Sequence, residues 1–287
     1  MPRARFDPGR NSILAGDNLG LMRSMPDAAF RMIYADPPFN TGRRQERVSL
    51  RAETAGDHGG GRSGFAGRRY RMTEVGRMAY PDAHDDYPAF LEPRLREMRR
   101  LLDGQGTLYL HLDYREAHYV KVLLDGIFGR ECFLNELIWA YDYGAKPTRR
   151  WPAKHDTILV YVRDPERYWF DAEAVDREPY MAPGLVTAAK AERGKRPTDT
   201  WWHTIVSPTG HEKTGYPTQK PEGIVRRMLQ ASTAPGDPVL DPFAGSGTLG
   251  AVAAPAGRPY TLIDSNPAAI EVMEQRLGLR ARAPRTA

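Results

Sequence analysis

Pro238-Val239-Leu240-Asp241-Pro242-Phe243-Ala244-Gly245-Ser246-Gly247-Thr248 reads as a short buried strand that ends on an acid and runs through a glycine turn into a helix. Glycines in such a turn let a ligand approach the backbone and the free N–H groups of the helix N-terminus. Tyr260-Thr261-Leu262-Ile263 follows as the next strand and ends at Asp264, well placed to bond ribose hydroxyls. Gly245, Gly247 and Gly250 fit the dinucleotide pattern G-x-G-x-x-G, with an acid about 20 residues on. Alone that match is weak. Its position decides the fold, because only one more strand and helix follow and the remaining strands are expected from upstream. The expected sheet is circularly permuted, with its ligand-binding half at the C-terminus.

The upstream half centres on Asp36-Pro37-Pro38-Phe39-Asn40, after the buried strand Met32-Ile33-Tyr34-Ala35. The prolines fix φ and lack N–H, so the turn is stiff and its carbonyls face outward unpaired. It offers a carboxylate, free carbonyls and a flat aromatic face together, which suits a planar group with N–H donors at its edge, such as a nucleobase amine. Asp and Pro are also common turn residues, so an ordinary strand-to-loop turn is the plain alternative.

The pair Asp36-Pro37-Pro38-Phe39 and Asp241-x-Phe243-x-Gly245-x-Gly247, in that order, resembles the β-class DNA amino-methyltransferases. Tyr216-Pro217-Thr218-Gln219-Lys220-Pro221 looks like the segment this class carries before its glycine turn, and Ile13-Leu14-Ala15-Gly16-Asp17 like its short strand and acid ahead of the catalytic loop. The resemblance covers most of residues 11–163 and 215–277. It implies an α/β, circularly permuted Rossmann-like methyltransferase fold with a seven-stranded mixed sheet containing one antiparallel strand. Residues 1–163 and 215–287 would form the catalytic and cofactor-binding domain, and 164–214 a small inserted target-recognition segment.

Composition agrees with an enzyme that meets nucleic acid. The 287 residues suffice for one large α/β domain with an insertion, or for two smaller domains. No apolar run approaches 18 residues and the N-terminus lacks an apolar signal core, so a soluble, cytoplasmic protein without a membrane partner is expected. Cys132 is the single cysteine, which excludes an internal disulfide and a cysteine-built metal site; its apolar neighbours suit a buried, inert thiol. The net charge of +5 is uneven. Residues 43–71 hold eight arginines (Arg43, Arg44, Arg68 and Arg69 among them) against three acids, an excess equal to that of the whole chain. With Gly59-Gly60-Gly61 and little apolar content, residues 43–78 read as a mobile basic loop at the mouth of the site that contacts DNA phosphates. A solvated loop without function is the alternative.

Further along, Phe90, Leu91, Leu95, Met98, Leu101 and Leu102 recur at helical spacing, with Arg94 among the wetter positions and Pro93 expected to kink or delay the helix. Gly106–Leu112 reads as a buried strand whose His111 and Asp113 share a side. A structural histidine is preferred there, because no third metal ligand is evident. Residues 136–141 and 156–162 read as an antiparallel hairpin, joined by a basic loop with Lys146, Arg149 and Arg150.

The resemblance implies the chemistry. An exocyclic amine is a poor nucleophile because its lone pair is delocalised into the ring. The Asp36 carboxylate and the Pro37 carbonyl, within the turn that Pro38 stiffens, would accept its two N–H bonds and return the pair to nitrogen, without a metal. Phe39 would stack on a base flipped from the helix at a cost on the order of a few kcal/mol. In-line attack on the sulfonium methyl of S-adenosylmethionine gives the methylamine and S-adenosylhomocysteine. Asp241, Phe243, Gly245 and Gly247 map to the methionine part of the cofactor, Asp264 to the ribose and Asp17 to the adenine edge. Thr218 and Lys220 map to the methionine carboxylate. Asp17 could instead cap the next helix, Lys220 could be a surface cation and Asp264 an N-cap. Asp at position 36 resembles the adenine-N6 enzymes; cytosine N4 is the alternative base. The partner implied is double-stranded DNA, with room for a homodimer and a cognate restriction endonuclease. A non-catalytic DNA-binding protein and a nicotinamide oxidoreductase are the readings from other classes, and RNA is the other nucleic acid to weigh.

Overall fold

The computed structural model describes residues 6–40, 43–54, 62–63, 69–82, 86–144, 147–207 and 210–279, and between 43 and 82 the backbone alone. In chain order the elements are β1 (Ser12–Ala15), α1 (Asn18–Arg23), β2 (Phe30–Ala35), β3 (Arg43–Thr54), β4 (Arg62–Ser63), β5 (Arg69–Asp82), α2 (Tyr87–Leu101), β6 (Leu102–Leu112) and α3 (Ala117–Phe128). They continue as β7 (Phe133–Ala140), β8 (His155–Val162), α4 (Ala188–Arg193), β9 (Thr200–Trp202), α5 (Glu222–Ser232), β10 (Val239–Asp241), α6 (Thr248–Ala253), β11 (Tyr260–Asp264) and α7 (Pro267–Arg276).

Eight strands form the main sheet in the order β1-β11-β10-β2-β6-β8-β7-β9. β10 and β11, from the C-terminal part of the chain, sit between β1 and β2 and pair with them in parallel, which is the expected permutation. β8 alone runs antiparallel, to β6 on one side and β7 on the other. The sheet therefore has one antiparallel strand as expected, but eight strands rather than seven. The eighth, β9, pairs in parallel with β7 and comes from the segment expected to be a separate recognition insert. Three residues bounded by polar, Pro-containing sequence give no readable periodicity, so only pairing reveals it.

Period-two alternation sorts the sheet's apolar side chains onto two faces. Ile33, Ala35, Leu108, Leu110, Leu159, Leu240 and Ile263 pack with α1, α2 and α3. Met32, Tyr34, Tyr109, Ile158, Val160, Val239 and Leu262 pack with α5, α6 and α7. A bulge between Phe30 and Met32 puts these two on opposite faces. Most of these side chains are fully buried, each worth about 1.5–3 kcal/mol.

Two sequence expectations change. The stretch 43–78 is not a plain loop: β3 and β5 pair along their length, from Arg43 with Asp82 to Thr54 with Tyr70, and β4 adds a short third strand. Pro93 does not delay α2, which starts six residues earlier, where Asp86 accepts from the Ala89 N–H at 3.0 Å. No described helix is long and apolar enough to cross a membrane.

Candidate active site

The carboxyl ends of β1, β11, β10 and β2 lie side by side, and the residues that follow them line one cleft of about 290 Å³. In an open parallel sheet this edge is where ligands bind. Asp36, Pro37, Pro38 and Phe39 form one wall, Asp241, Phe243, Gly245 and the start of α6 another, and Asp17, Thr218, Lys220 and Asp264 also face it. Gly247 stands at the N-cap of α6, just behind.

Asp36 directly follows β2. Its two carboxylate oxygens accept from Lys220 Nζ at 2.8 and 2.6 Å. The same ammonium lies 4.4 Å from the centre of the Phe39 ring. Lys220 is only 8 % exposed, which disposes of the surface-cation alternative. Its carbonyl accepts from Thr248 Oγ1 at 3.2 Å, tying the segment ahead of α5 to the first turn of α6. The ammonium expected near the cofactor thus rests on the acid–proline turn. Asn40 closes that turn at φ 53°, in the left-handed region it tolerates better than most residues, and its Nδ2 donates to Glu116 Oε1 at 2.8 Å.

The glycine turn is held by two acids. Asp241 Oδ1 accepts from the Phe243 N–H at 3.0 Å. Asp264 Oδ2 accepts from the Gly245 N–H and Oδ1 from the Asn266 N–H, both at 2.8 Å. Asn266, not Asp264, caps α7. Gly247 has φ +72°, and a Cβ there would lie 2.8 Å from Met273 Cγ, so glycine alone lets the turn pack on α7.

The electrostatics are unusual for a surface cleft. Burial pushes the Asp241 carboxyl well above its ordinary range, and the nearby Asp36 and Asp264 push it further against the Phe243 N–H and Lys220. Burial also raises Asp264, against three backbone hydrogen bonds. The Tyr34 hydroxyl is raised by burial and then by the fields of Asp36, Asp241 and Asp156. Four acids (Asp17, Asp36, Asp241, Asp264) and two cations (Arg94, Lys220) line the cleft, so it favours a cationic ligand. Strongly shifted groups gathered in one cleft mark a functional site.

Asp17 does cap a helix: its Oδ2 accepts from the Gly20 N–H at 2.9 Å, while Oδ1 meets Arg94 at 3.1 Å. Sequence reasoning missed Tyr34, Asn18 and Arg94 as cleft residues. Tyr34 was findable, since on a strand it shares a face with Asp36 two residues on. Arg94, expected on a wet face, turns into the cleft, with Nε 2.8 Å from Asn18 Oδ1 and its guanidinium 4.0 Å from the Phe90 ring centre. Asn18 in turn donates to the Pro242 carbonyl at 2.8 Å. The i, i+4 pair Phe90/Arg94 was the available signal. His111 is fully buried between Tyr34 Oη (3.0 Å) and Asp156 (3.1 Å), as a structural histidine should be. Among the described residues no cluster of His, Cys, Asp and Glu could hold a metal ion.

Of the candidate DNA contacts, Arg149 and Arg150 are exposed in the connection between β7 and β8, next to Trp151, which is 94 % exposed. β7 runs parallel to β2, so this connection leaves the same sheet edge as Asp36. Arg43 and Arg44 open β3 shortly after the acid–proline turn, and Arg69 opens β5. Arg68 and Lys146 lie outside the described residues.

A permuted open sheet that brings a stiff acid–proline turn and a glycine turn into one cleft has the architecture of a base-modifying methyltransferase. Residues 30–275 match the family model of N6/N4 methyltransferases, described as DNA methylase, and the chain belongs to that family. It is 32 % identical over 191 residues to the type II methyltransferase M.HpaI of Haemophilus parainfluenzae, covering 67 % of this chain and 59 % of that protein. It is 27 % identical over 281 residues to the DNA adenine methyltransferase YhdJ of Escherichia coli K12, covering 95 % of this chain and 84 % of that one. Among solved structures, the cytosine-N4-specific PvuII DNA methyltransferase shares the fold with a TM-score of 0.63 at 16 % identity, over 93 % of this chain and 86 % of that one. The M1.HpyAVI–SAM complex does so at 0.59 and 19 %, over 93 % and 98 %.

Proposed function

We propose that this protein transfers a methyl group from S-adenosylmethionine to N6 of an adenine flipped out of double-stranded DNA. The observation that carries the reading is the sharing of one cleft by Asp36 and the glycine turn. A carboxylate at the end of β2 and a turn that exposes backbone to a ligand are both needed to bring an amine and a methyl donor together. Asp36 and the Pro37 carbonyl accept the two N–H bonds of the target amine and localise its lone pair. Phe39 supplies the stacking face. Bound beside them, S-adenosylmethionine would supply the methyl group as a cationic sulfonium. The residues fit that group: the cleft carries an excess of acids, Asp241 and Asp264 are held by backbone N–H groups, and Gly245 of the glycine turn lines it. The same charge excess disfavours the product cofactor, which has one positive charge fewer.

The basic hairpin of β3 and β5, the connection with Arg149 and Arg150, and the segment 164–214 would lie against the duplex and read its sequence. Action in the cytoplasm, alone or beside a cognate restriction endonuclease, and as a monomer or homodimer, belongs to the same reading. The test is methyl transfer from labelled S-adenosylmethionine to unmethylated genomic DNA, followed by nucleoside analysis. N6-methyladenine is the expected product. N4-methylcytosine would keep the chemistry and change the base, and absence of transfer to DNA would overturn the reading.

A further inference from the structure

The Lys220 ammonium makes the contacts that the reaction requires of the target. It donates to both oxygens of Asp36, at 2.8 and 2.6 Å, and it sits 4.4 Å from the centre of the Phe39 ring. A target amine would donate to the same carboxylate while its base covered the same ring. The ammonium bridges both oxygens of Asp36 and stands over the ring face that the base would cover, so the two compete for one position. The position is built rather than incidental. Lys220 is 8 % exposed, its carbonyl is tied to Thr248, and Asp241 beside it gives the ammonium a second acid to face.

We propose that Lys220 is the resting occupant of the target-amine subsite, and that base entry is a competition between this ammonium and the amine. The inference rests on the methyltransferase reading, which assigns Asp36 and Phe39 to the target base. Lys220 thereby acts on specificity. A group enters only if its N–H donors replace those of the lysine on Asp36; a base presenting a carbonyl at that edge offers the carboxylate no donor and leaves the lysine in place. Removing the ammonium should therefore make base entry easier even without cofactor.

The experiment uses the full-length protein and a duplex containing the site found by sequencing methylated DNA. Without cofactor, permanganate oxidation of the thymine opposite the target adenine reports the fraction of adenine that has left the helix. Lys220→Met keeps the length and apolar stem of the side chain and removes its donors. A hydrogen bond to a charged group is worth about 1.5–3 kcal/mol, so reactivity at that thymine should rise by about tenfold or more over wild type. Lys220→Arg, which keeps the cation, should stay near wild type. Equal reactivity in all three proteins at saturating protein would overturn the inference. If Lys220→Met fails to fold, Lys220→Gln, which keeps a neutral donor, should show a smaller rise, and no rise would count against the inference equally. Failure of the underlying reading shows itself earlier and separately, as absence of methylated DNA.

Discussion

Nε2 of His111 lies 3.1 Å from Oδ2 of Asp156, and together they link the wall of the cleft to the root of the basic connection. On one side Tyr34 Oη meets His111 Nδ1 at 3.0 Å; on the other the Tyr141 hydroxyl donates to Asp156 Oδ1 at 3.0 Å. A carboxylate only accepts, so Nε2 is the donor of the pair. Phe39 leans on the same imidazole, with ring centres 5.8 Å apart. The ring that would stack on a base is therefore seated on a polar string whose centre, Tyr34, His111 and Asp156, is buried, and whatever loosens the string loosens Phe39.

Replacing His111 by leucine leaves Asp156 buried without its ring partner. The expected loss is about 3 kcal/mol, read as a lower urea midpoint. Burial raises the Asp156 carboxyl, but the His111 hydrogen bond and charge, the field of Lys220 and the Tyr141 hydrogen bond together bring it below its ordinary value. A folded pKa below the unfolded one adds stability that is present above the unfolded value and lost as pH falls through the folded one. The acid limb of the wild-type stability curve should accordingly be steeper than that of His111→Leu. Unfolding measured between about pH 2 and pH 6 tests this, and identical limbs would show that Asp156 contributes nothing to the pH dependence.

Asp241 works with the opposite sign. Its carboxyl is raised by burial and by Asp36 and Asp264, so above its unfolded pKa the ionised form costs stability, and the cost fades as pH falls through the raised folded value. Asp241→Asn keeps an oxygen for the Phe243 N–H and removes the charge. The variant should melt higher than wild type at neutral pH and gain nothing at acid pH. It should also bind S-adenosylmethionine more weakly, because the cleft loses one of its four acids. Calorimetry of folding and of cofactor binding reads the two effects separately, and a variant both less stable and equally good at binding would contradict both expectations.

The same physics decides what is legible in the sequence. Strands ending on acids, at Ala35/Asp36, Asp241 and Asp264, can be placed because a buried apolar run followed by a carboxylate and a Pro or Gly turn has few alternative readings. Their order then dictates the permutation. β9 is not legible, since three residues carry no period. The hairpin of β3 and β5 is partly legible. Arg47-Val48-Ser49-Leu50-Arg51-Ala52 alternates with period two, but its arginines and the central glycines suit a loop as well. In the site, the residues along the chain's own turns can be named, whereas the pairing of Lys220 with Asp36 joins positions 184 apart and has no local signature.

Arg149 and Arg150 offer the simplest test of where the duplex lies, because both are exposed and neither supports a described element. Replacing both by alanine should leave folding and cofactor binding unchanged and weaken DNA binding at every sequence. The log–log slope of affinity against salt should become shallower by about 0.9 for each phosphate that an arginine no longer neutralises. Binding titrations of any long duplex at several salt concentrations suffice. An unchanged slope would place the connection away from the backbone of the DNA.

Asp36→Ala separates chemistry from binding. The carboxylate accepts hydrogen bonds from Lys220 and from nothing else described, and the glycine turn is built from Asp241 and Asp264 without it. Methyl transfer should fall below detection, since losing one preorganised electrostatic partner of a reacting group costs about 10²–10³-fold and here one of two acceptors is removed outright. S-adenosylmethionine should still bind, weakened only by the loss of one of the four cleft acids, because Asp241, Asp264 and the backbone of the glycine turn remain. Single-turnover transfer from labelled cofactor and equilibrium dialysis of the same preparation make the two measurements. Retained turnover with lost cofactor binding would reverse the roles assigned to the two turns: Asp36 would then belong to the cofactor's half of the cleft, and the target amine would have to be sought beside Asp241.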